Sequence, residues 1–151
     1  MIERTLSILK PDATEKNITG EINRRIEEAG LRIIAQKRVI ITEEQARGFY
    51  HDIGEKHGKE IFDFLVSFMA SGPVVLQVLE GENAVTTHRD VLGNTYPDDA
   101  GKGTVRGDFG VQENFADGKK PRIYNCAHGS DSLENAKFEI NHFFTEDEIV
   151  G

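Results

Sequence analysis

The sequence predicts an α+β fold of the ferredoxin-like split βαβ kind, a sandwich in which helices pack on one four-stranded antiparallel sheet. Two observations lead to this prediction. Segments with the patterns of strands and of helices follow one another in the order β-α-β-α-α-β-α-loop-β-α. The length of 151 residues suits one domain of ordinary size. We therefore expect residues 1–151 to form a single domain.

The first three elements are predicted from hydrophobic periodicity. Residues 4–10 alternate polar and apolar side chains, as a strand with one buried face does. Residues 19–29 place Ile22 and Ile26 on one helical face. Residues 31–41 are rich in β-branched side chains, which favour a second strand.

Two helices, a strand and a further short helix are predicted next. Thr42 and Gln45 have the spacing of a capping box, which begins a helix. Residues 59–70 carry many apolar side chains and predict another helix. Residues 74–79 are almost continuously apolar, as in a central strand, and residues 82–92 predict a short helix.

The last third of the chain contains a long irregular segment. Residues 93–125 hold many glycines and little periodicity, and a loop of this length inside a domain is usually functional or disordered. Residues 123–127 predict a short final strand, and Asp131 or Ser132 is expected to begin the last helix. The predicted buried stripe of that helix consists of Leu133, Ala136, Ile140 and Phe144.

The composition restricts the classes of partner. Eighteen Lys and Arg oppose 26 Asp and Glu, which gives a net charge of −8. Repulsion of this sign disfavours a nucleic-acid coat or an anionic membrane surface, although a few local cations could still bind a small anion. No apolar run approaches the roughly 20 residues of a membrane helix. With one cysteine, Cys126, and no signal-peptide pattern, we expect a cytoplasmic protein.

The segment His128-Gly129-Ser130-Asp131-Ser132 carries the clearest chemical signal. A histidine at the expected end of a strand precedes a helix start, where N–H groups and the helix dipole attract phosphate. Histidine can act as a nucleophile at neutral pH, and Glu139 falls where it could accept a ring N–H. The pattern predicts phosphoryl transfer through a phosphohistidine, whereas a hydrogen-bonded turn residue is the alternative for an isolated histidine. The chain contains no P-loop motif.

Several further motifs match one enzyme family in order and spacing. They are Lys10-Pro11-Asp12, Ser71-Gly72-Pro73-Val74, Arg89-Asp90-Val91-Leu92-Gly93, Gly103-Thr104-Val105-Arg106-Gly107-Asp108-Phe109 and the segment from His128 to Ser132. On these residues the chain resembles the nucleoside diphosphate kinases over nearly its whole length. The resemblance implies a ping-pong enzyme in which His128 takes the γ-phosphate of a nucleoside triphosphate and passes it to a nucleoside diphosphate, with Mg²⁺ on the phosphates. The alternative is a catalytically reduced, nucleotide-binding regulatory module on the same fold.

The resemblance also implies roles for single residues that contact the phosphates. Lys10 matches the lysine that contacts the ribose and the transferred phosphoryl group, and Tyr50 matches a tyrosine near it. Arg89, Thr95 and Arg106 match the phosphate clamp. Three cations together with Mg²⁺ would supply the fixed positive charge that phosphoryl transfer requires.

The remaining implied roles surround the histidine and the nucleoside. Asn125 matches the ribose-binding asparagine, and Ser130 and Glu139 match the pair that orients His128. Asp131 matches the acidic residue that reaches the metal through water.

Two features depart from the family pattern. Ile61 falls where the family places a base-stacking phenylalanine, and Phe64 one turn further along could substitute for it. The insertion of residues 112–122 is locally basic, and it could lengthen a hairpin near the site, contact a second subunit or be a solvated loop extension. The resemblance further implies a homo-oligomer, either a tetramer or a hexamer built from dimers.

Overall fold

Four antiparallel strands form the central sheet of the protein. The computed structural model describes the backbone of residues 1–151 and every side chain except those at positions 53 and 54. The six strands are β1 (Ile2–Leu9), β2 (Arg32–Val39), β3 (Val74–Glu82), β4 (Val111–Glu113), β5 (Arg122–Tyr124) and β6 (Ala127–Gly129). The central sheet has the order β2-β3-β1-β6, and β4 and β5 form a separate hairpin. This strand order confirms the predicted ferredoxin-like α+β class.

Eight α-helices surround the sheet within the described part of the chain. They are α1 (Pro11–Glu15), α2 (Thr19–Glu28), α3 (Glu43–Phe49), α4 (Ile53–His57), α5 (Lys59–Met69), α6 (Ala84–Leu92), α7 (Val105–Phe109) and α8 (Leu133–Phe143). Short 3₁₀ turns lie at Pro97–Asp99 and Glu146–Glu148. None of these helices combines the length and the apolarity that crossing a bilayer demands.

The sheet is buried on both faces because strand side chains alternate between two apolar clusters. Leu6 and Ile8 of β1 pack on one face with α3, α5 and α8. Leu9 and its neighbours pack on the opposite face with α2 and α6. At about 25 cal/mol per Å² of buried apolar surface, these two clusters provide the main driving force for folding.

The register of β1 places the candidate histidine beside the centre of the sheet. Ile8 of β1 lies opposite His128 of β6, and Ser7 lies opposite Gly129. On its other side β1 pairs with β3 along eight residues. The strand that carries His128 is short, but its backbone is fixed by pairing with β1, an interior strand of the sheet.

Two helix starts follow the predicted chemistry, and one detail of the last helix does not. Thr42 and Gln45 form both bonds of the capping box at the start of α3, as predicted. Ser132 caps α8, because its Oγ accepts the Asn135 N–H. The prediction that Leu133 belongs to the buried stripe is wrong: Leu133 is 48% exposed, since it lies in the first turn and faces solvent.

The predicted final strand at residues 123–127 is also wrong. The chain turns sharply at Asn125 and Cys126, where the Asn125 carbonyl accepts the Ala127 N–H at 2.8 Å. Cys126 has a φ of 72°, in the left-handed region that interrupts a strand. This turn separates β5, which belongs to the hairpin, from β6, which belongs to the central sheet.

The segment of residues 93–125 contains more regular structure than the sequence predicted. It includes a 3₁₀ turn, α7 and the β4–β5 hairpin. The Thr104 hydroxyl accepts the Gly107 N–H and begins α7. Helix α6 begins at Ala84 and not at Glu82, because β3 continues to Glu82 through its pairing with β1.

Candidate active site

His128 lies in a chain of hydrogen bonds that joins the sheet to α8. Its Nε2 is 2.8 Å from Oε1 of Glu139, and the hydroxyl of Ser130 donates to the same oxygen at 2.6 Å. Ser130 is fully buried, and its Oγ accepts the Leu6 N–H of β1. The three predicted residues therefore meet, and β1, β6 and α8 fix their positions.

The contact with Glu139 determines which nitrogen of His128 can react. An ionised carboxylate can only accept hydrogen bonds, so Nε2 carries the proton in the neutral imidazole. Nδ1 then keeps its lone pair. The ring of Phe49 packs edge-on against the imidazole, with centroids 4.9 Å apart. The imidazole is thus oriented by a hydrogen bond on one side and by an aromatic contact on the other.

Tyr50 lies directly after α3, next to Phe49, whose ring packs against His128. The residue is buried and its ring contacts Phe49 at 4.9 Å. Burial, and to a lesser extent the negative charge of Glu139, raises the pKa of the Tyr50 phenol. Tyr50 therefore remains an O–H donor throughout the physiological pH range.

A second chain of hydrogen bonds joins Lys10, Asn125 and Thr95. The Lys10 ammonium donates to Oδ1 of Asn125 at 2.9 Å, and the Asn125 amide donates to the carbonyl of Thr95 at 2.9 Å. Burial lowers the pKa of Lys10 to about 8, and the nearby Arg106 guanidinium contributes to this shift. Elements that are far apart in the sequence thus place these three predicted residues together.

Arg106 is a buried cation that contacts carbonyl oxygens. Its guanidinium donates to the Gly93 carbonyl at 2.9 Å and to the Ala127 carbonyl at 2.7 Å. Its Nε is buried and has no hydrogen-bond partner, and no carboxylate pairs with the guanidinium within the described residues. Burial lowers the pKa of Arg106 to about 10, so the group stays charged at neutral pH. A buried cation of this kind favours an anionic ligand.

Arg89 and Thr95 line a cleft of about 440 Å³ beside Arg106. The Arg89 side chain is exposed, and its charge further lowers the pKa of Arg106. The remaining lining residues are Asp90, Gly93 and Asn94. Two predicted members of the phosphate clamp thus line the cleft, and the third, Arg106, donates to the carbonyl of the lining residue Gly93.

The structure describes no hydrogen bond from Asp131 or Ile61 to this cluster. Asp131 is exposed, and its carboxylate accepts the side-chain amide of Asn135. Ile61 is half-buried in the first turns of α5. The roles predicted for these two residues stay predictions.

The predicted insertion of residues 112–122 comprises most of β4, the connecting turn and the first residue of β5. The Asp98 N–H donates to Gln112, and the Asp98 carboxylate accepts the Asn114 amide, which ties the hairpin to the 3₁₀ turn. On the other strand, Tyr124 and Arg122 contact the ring of Phe64 on α5. The hairpin is therefore anchored at both strands next to Asn125.

The comparison with protein families decides the identity of this arrangement. The model of the family described as nucleoside diphosphate kinase matches residues 3–149. The chain belongs to this family.

Relatives of known sequence and structure agree with the assignment. The nucleoside diphosphate kinase of Rhodospirillum centenum is 55% identical over 150 residues, which cover 99% of both chains. That of Rhizorhabdus wittichii is 54% identical over 149 residues, covering 99% of this chain and 98% of the relative.

Two solved structures are similar over almost the entire chain. The nucleoside diphosphate kinase from Borrelia burgdorferi, a transition-state mimic with bound vanadate and ADP, has a TM-score of 0.91 and 33% identity and covers 99% of this chain and 91% of its own. The Aquifex aeolicus nucleoside diphosphate kinase has a TM-score of 0.88 and 39% identity and covers 99% of this chain and 100% of its own. The predicted family and fold are confirmed.

The structure also reveals a residue near the candidate kinase site that the sequence reasoning missed. His88 of α6 is fully buried, and neither ring nitrogen has a hydrogen-bond partner within the described residues. Burial, followed by the charges of its neighbours His128 and Arg106, lowers the pKa of His88 to about 3. His88 shares the buried face of α6 with Ala84 and Leu92, four residues away on either side, so helical spacing is the signal that could have identified it.

The position of His88 explains why the residue after His128 is glycine in this chain. A Cβ on Gly129 would lie 2.7 Å from Nδ1 of His88 and 3.4 Å from Cδ1 of Leu92. We therefore expect Gly129→Ala to destabilise the protein by about 1–3 kcal/mol, because the core must shift to accept one methyl group. Displacement of β6 would also lower the phosphotransfer rate. Denaturant unfolding and the rate of phosphate transfer measure the two effects.

A matched glycine provides the control for this prediction. Gly20 of α2 has no atom within 4 Å of an added Cβ, so Gly20→Ala is expected to change stability by less than about 1 kcal/mol. Combining Gly129→Ala with His88→Ala should cost less than the sum of the two single changes, since the second removes the clashing ring. Strict additivity in this double-mutant cycle would exclude the proposed clash.

Proposed function

We propose that this protein transfers the γ-phosphate of a nucleoside triphosphate to a nucleoside diphosphate through a phosphohistidine on His128. The observation that carries this proposal is the hydrogen bond between Nε2 of His128 and Glu139, which Ser130 supports. This bond leaves Nδ1 as the nucleophile and stabilises the positive charge that the ring acquires when it is phosphorylated.

The first half-reaction forms one bond and breaks another. The lone pair of Nδ1 attacks the γ-phosphorus in line, and the bond from that phosphorus to the bridging oxygen of the β-phosphate breaks. The electron pair leaves with the nucleoside diphosphate. The proton stays on Nε2 and keeps its hydrogen bond to Glu139. In the second half-reaction a β-phosphate oxygen of another diphosphate attacks the phosphohistidine and restores the free imidazole.

The surrounding donors supply the electrostatic part of catalysis. Phosphoryl transfer needs positioning and fixed positive charge more than it needs covalent help. Arg106 and Arg89 would bind the phosphates, with the hydroxyl of Thr95 beside them, and the Lys10 ammonium would follow the transferred group. The buried phenol of Tyr50 would add an O–H donor. In the same proposal Asn125, which already bonds to Lys10, contacts the ribose.

The metal in this proposal is Mg²⁺ carried by the nucleotide. Within the described residues no three His, Cys, Asp or Glu side chains converge on a point that could hold an ion. The chain's donors therefore fit an ion whose ligands are mainly phosphate oxygens and water, with Asp131 reaching it through water. When bound, Mg²⁺ would neutralise part of the phosphate charge.

Three further features are proposed on the strength of the family. Ile61 would contact the nucleobase from α5, which gives apolar packing without ring stacking. Residues 1–151 would act as one catalytic domain in the cytoplasm. The domain would assemble into a tetramer or a hexamer of dimers.

Labelled nucleotides test the proposed reaction directly. Incubation with γ-labelled ATP and Mg²⁺ should label the protein, and the label should be lost in acid and retained in base, as a phosphoramidate is. Addition of unlabelled GDP should then move the label into GTP. The Borrelia relative binds vanadate and ADP as a transition-state mimic, which supports this choice of donor.

A donor labelled at the α-phosphate serves as the control, because it should leave the protein unlabelled. A label that survives acid would point to a phosphoester and contradict the phosphohistidine. Labelled protein that does not pass its phosphate to GDP would contradict the ping-pong transfer.

A further inference from the structure

Asp12 is a buried carboxylate that the proposed reaction does not use. It lies in the first turn of α1, is 7% exposed, and accepts the backbone N–H of Cys126 with its Oδ2 at 3.0 Å. Its Oδ1 is buried without a hydrogen-bond partner in the described part of the chain. A buried carboxylate costs free energy unless its position has a compensating effect.

The residue that Asp12 contacts adopts an uncommon backbone conformation. Cys126 has a φ of 72°, in the left-handed region that is unfavourable for a residue with a Cβ. Its N–H donates to Asp12, and its carbonyl accepts the Lys10 N–H at 2.8 Å. The segment that contains Lys10 and Asp12 thus bonds to both peptide groups of Cys126 and fixes this turn.

This turn determines where two proposed site residues lie. Asn125 precedes Cys126. The Asn125 Oδ1 accepts a hydrogen bond from the Lys10 ammonium at 2.9 Å. Asp12 lies two residues after Lys10 in the sequence. Its carboxylate accepts the N–H of Cys126, the residue that follows Asn125. Loss of the hydrogen bond between Asp12 and Cys126 would therefore let Asn125 move away from Lys10.

We propose that Asp12 is a positioning residue for phosphate transfer, which fixes the Cys126 turn and supplies negative charge to the Lys10 ammonium. The inference rests on the proposed function, because Lys10 is assigned there to the transferred group. It adds a residue whose effect on the phosphates is transmitted entirely through Lys10 and Asn125.

The charges around Lys10 agree with this role. Burial and the Arg106 guanidinium of α7 lower the pKa of Lys10 to about 8, whereas Asp12 of α1 acts in the opposite direction. The Cys126 thiol also lies near Lys10, but burial raises its pKa to about 12, so it remains neutral at pH 8. Of the groups that shift the Lys10 pKa, Asp12 is therefore the one whose negative charge favours the protonated ammonium.

Direct titration of Lys10 tests the proposal without depending on catalysis. In protein labelled with ¹³Cε-lysine, the Lys10 signal is assigned by its loss in Lys10→Arg. We expect a midpoint near pH 8 in the wild type and a midpoint lower by about 1 unit in Asp12→Asn, because a neighbouring opposite charge is removed. Glu15→Gln, an exposed carboxylate of the same helix, should leave the midpoint unchanged. An unchanged midpoint in folded Asp12→Asn would overturn the proposal.

The pH dependence of phosphate transfer separates this role from a structural one. As the pH rises through the Lys10 pKa, the cation is lost and the rate should fall. Asp12→Asn should shift this decline to lower pH and cost more activity at pH 9 than at pH 6.5. A loss of equal size at every pH would mean that Asp12 only supports the turn, and it would contradict the proposal.

Two results keep the test conclusive. If Asp12→Asn does not fold, Asp12→Glu keeps the charge, and its Lys10 midpoint should stay within about 0.5 unit of the wild type even where the transfer rate falls. A large fall of the midpoint in Asp12→Glu would also contradict the proposal. If the wild type transfers no phosphate, the proposed function fails, whereas the Lys10 titration still reports whether Asp12 supplies the charge.

Discussion

Replacement of His128 by alanine is expected to lower the rate of phosphate transfer by about 10⁴-fold or more, because the covalent route disappears with the nucleophile. Nδ1 has no substitute within the described residues. Tyr50 is buried and held neutral by its raised pKa. The hydroxyl of Ser130 is fully buried and bonded to Glu139. Neither group can reach a phosphate as an anionic nucleophile.

The fold should survive this substitution. Glu139 and Ser130 keep their own hydrogen bond, and the backbone pairing of β6 with β1 does not involve the imidazole. The variant should lose the contact with Phe49 and change stability by about 1–2 kcal/mol. Circular dichroism and thermal unfolding, measured beside the transfer assay, separate a chemical loss from an unfolded protein.

An exposed histidine provides the matched control for this prediction. His57 lies at the end of α4 and is exposed, so His57→Ala should transfer phosphate at the wild-type rate. Full activity in folded His128→Ala would show that another residue accepts the phosphate. A variant that still accepts label in acid-labile, base-stable form would show the same.

The fold was predictable because its elements have strong local signals. The alternation of residues 4–10 and the continuous apolar run at residues 74–79 indicated the two central strands. The capping box of Thr42 was visible as a four-residue pattern. These features depend on neighbours in the sequence, which is why a single sequence shows them.

The turn before His128 was not predictable for a physical reason. Residues 123–127 have the composition of one strand, but Cys126 adopts a left-handed φ that only contacts with Asp12 and Lys10 make stable. Those contacts join positions more than 110 residues apart. Tertiary contacts here override the local preference of the chain.

The candidate site shows the same division between local pattern and distant contact. The pairing of His128 with Glu139 was predictable from the periodicity of one helix. The contact between His88 and Gly129 joins α6 to β6, and no spacing in the sequence indicates it. The arrangement of Arg106 against two carbonyls likewise depends on where α7 packs.

Replacement of Arg106 by methionine is expected to have the second-largest effect, a loss of about 10²–10³-fold in the transfer rate. A donor that is fixed before the reaction and aimed at developing charge contributes this much in other enzymes. The guanidinium is buried, stays charged at neutral pH, and has no carboxylate partner within the described residues. Its charge is therefore available to the phosphates without first breaking an ion pair.

The same substitution should remove most of the stabilisation that the folded protein gains from binding a nucleotide. ADP stabilises the folded protein by RT ln(1 + [ADP]/Kd), so ADP at 100 times Kd adds about 2.7 kcal/mol. Without Arg106 the affinity falls and most of this gain disappears. Without ligand, the variant should lose less free energy of unfolding than this. Deletion of a buried unpaired charge offsets part of the cost of the two lost hydrogen bonds to Gly93 and Ala127. Thermal unfolding with and without ADP measures both quantities.

Arg47→Met is the matched control, because Arg47 is an exposed arginine that pairs with Glu43 on α3. It should keep both the transfer rate and the stabilisation by ADP, since an exposed pair contributes less than about 1 kcal/mol. Arg106→Lys adds a finer distinction. One ammonium keeps the charge but cannot donate to both carbonyls and to a phosphate in a fixed plane, so its rate should lie between those of the wild type and Arg106→Met. If Arg106→Met keeps its stabilisation by ADP, the buried guanidinium does not bind the phosphates, and its position against the two carbonyls is structural only.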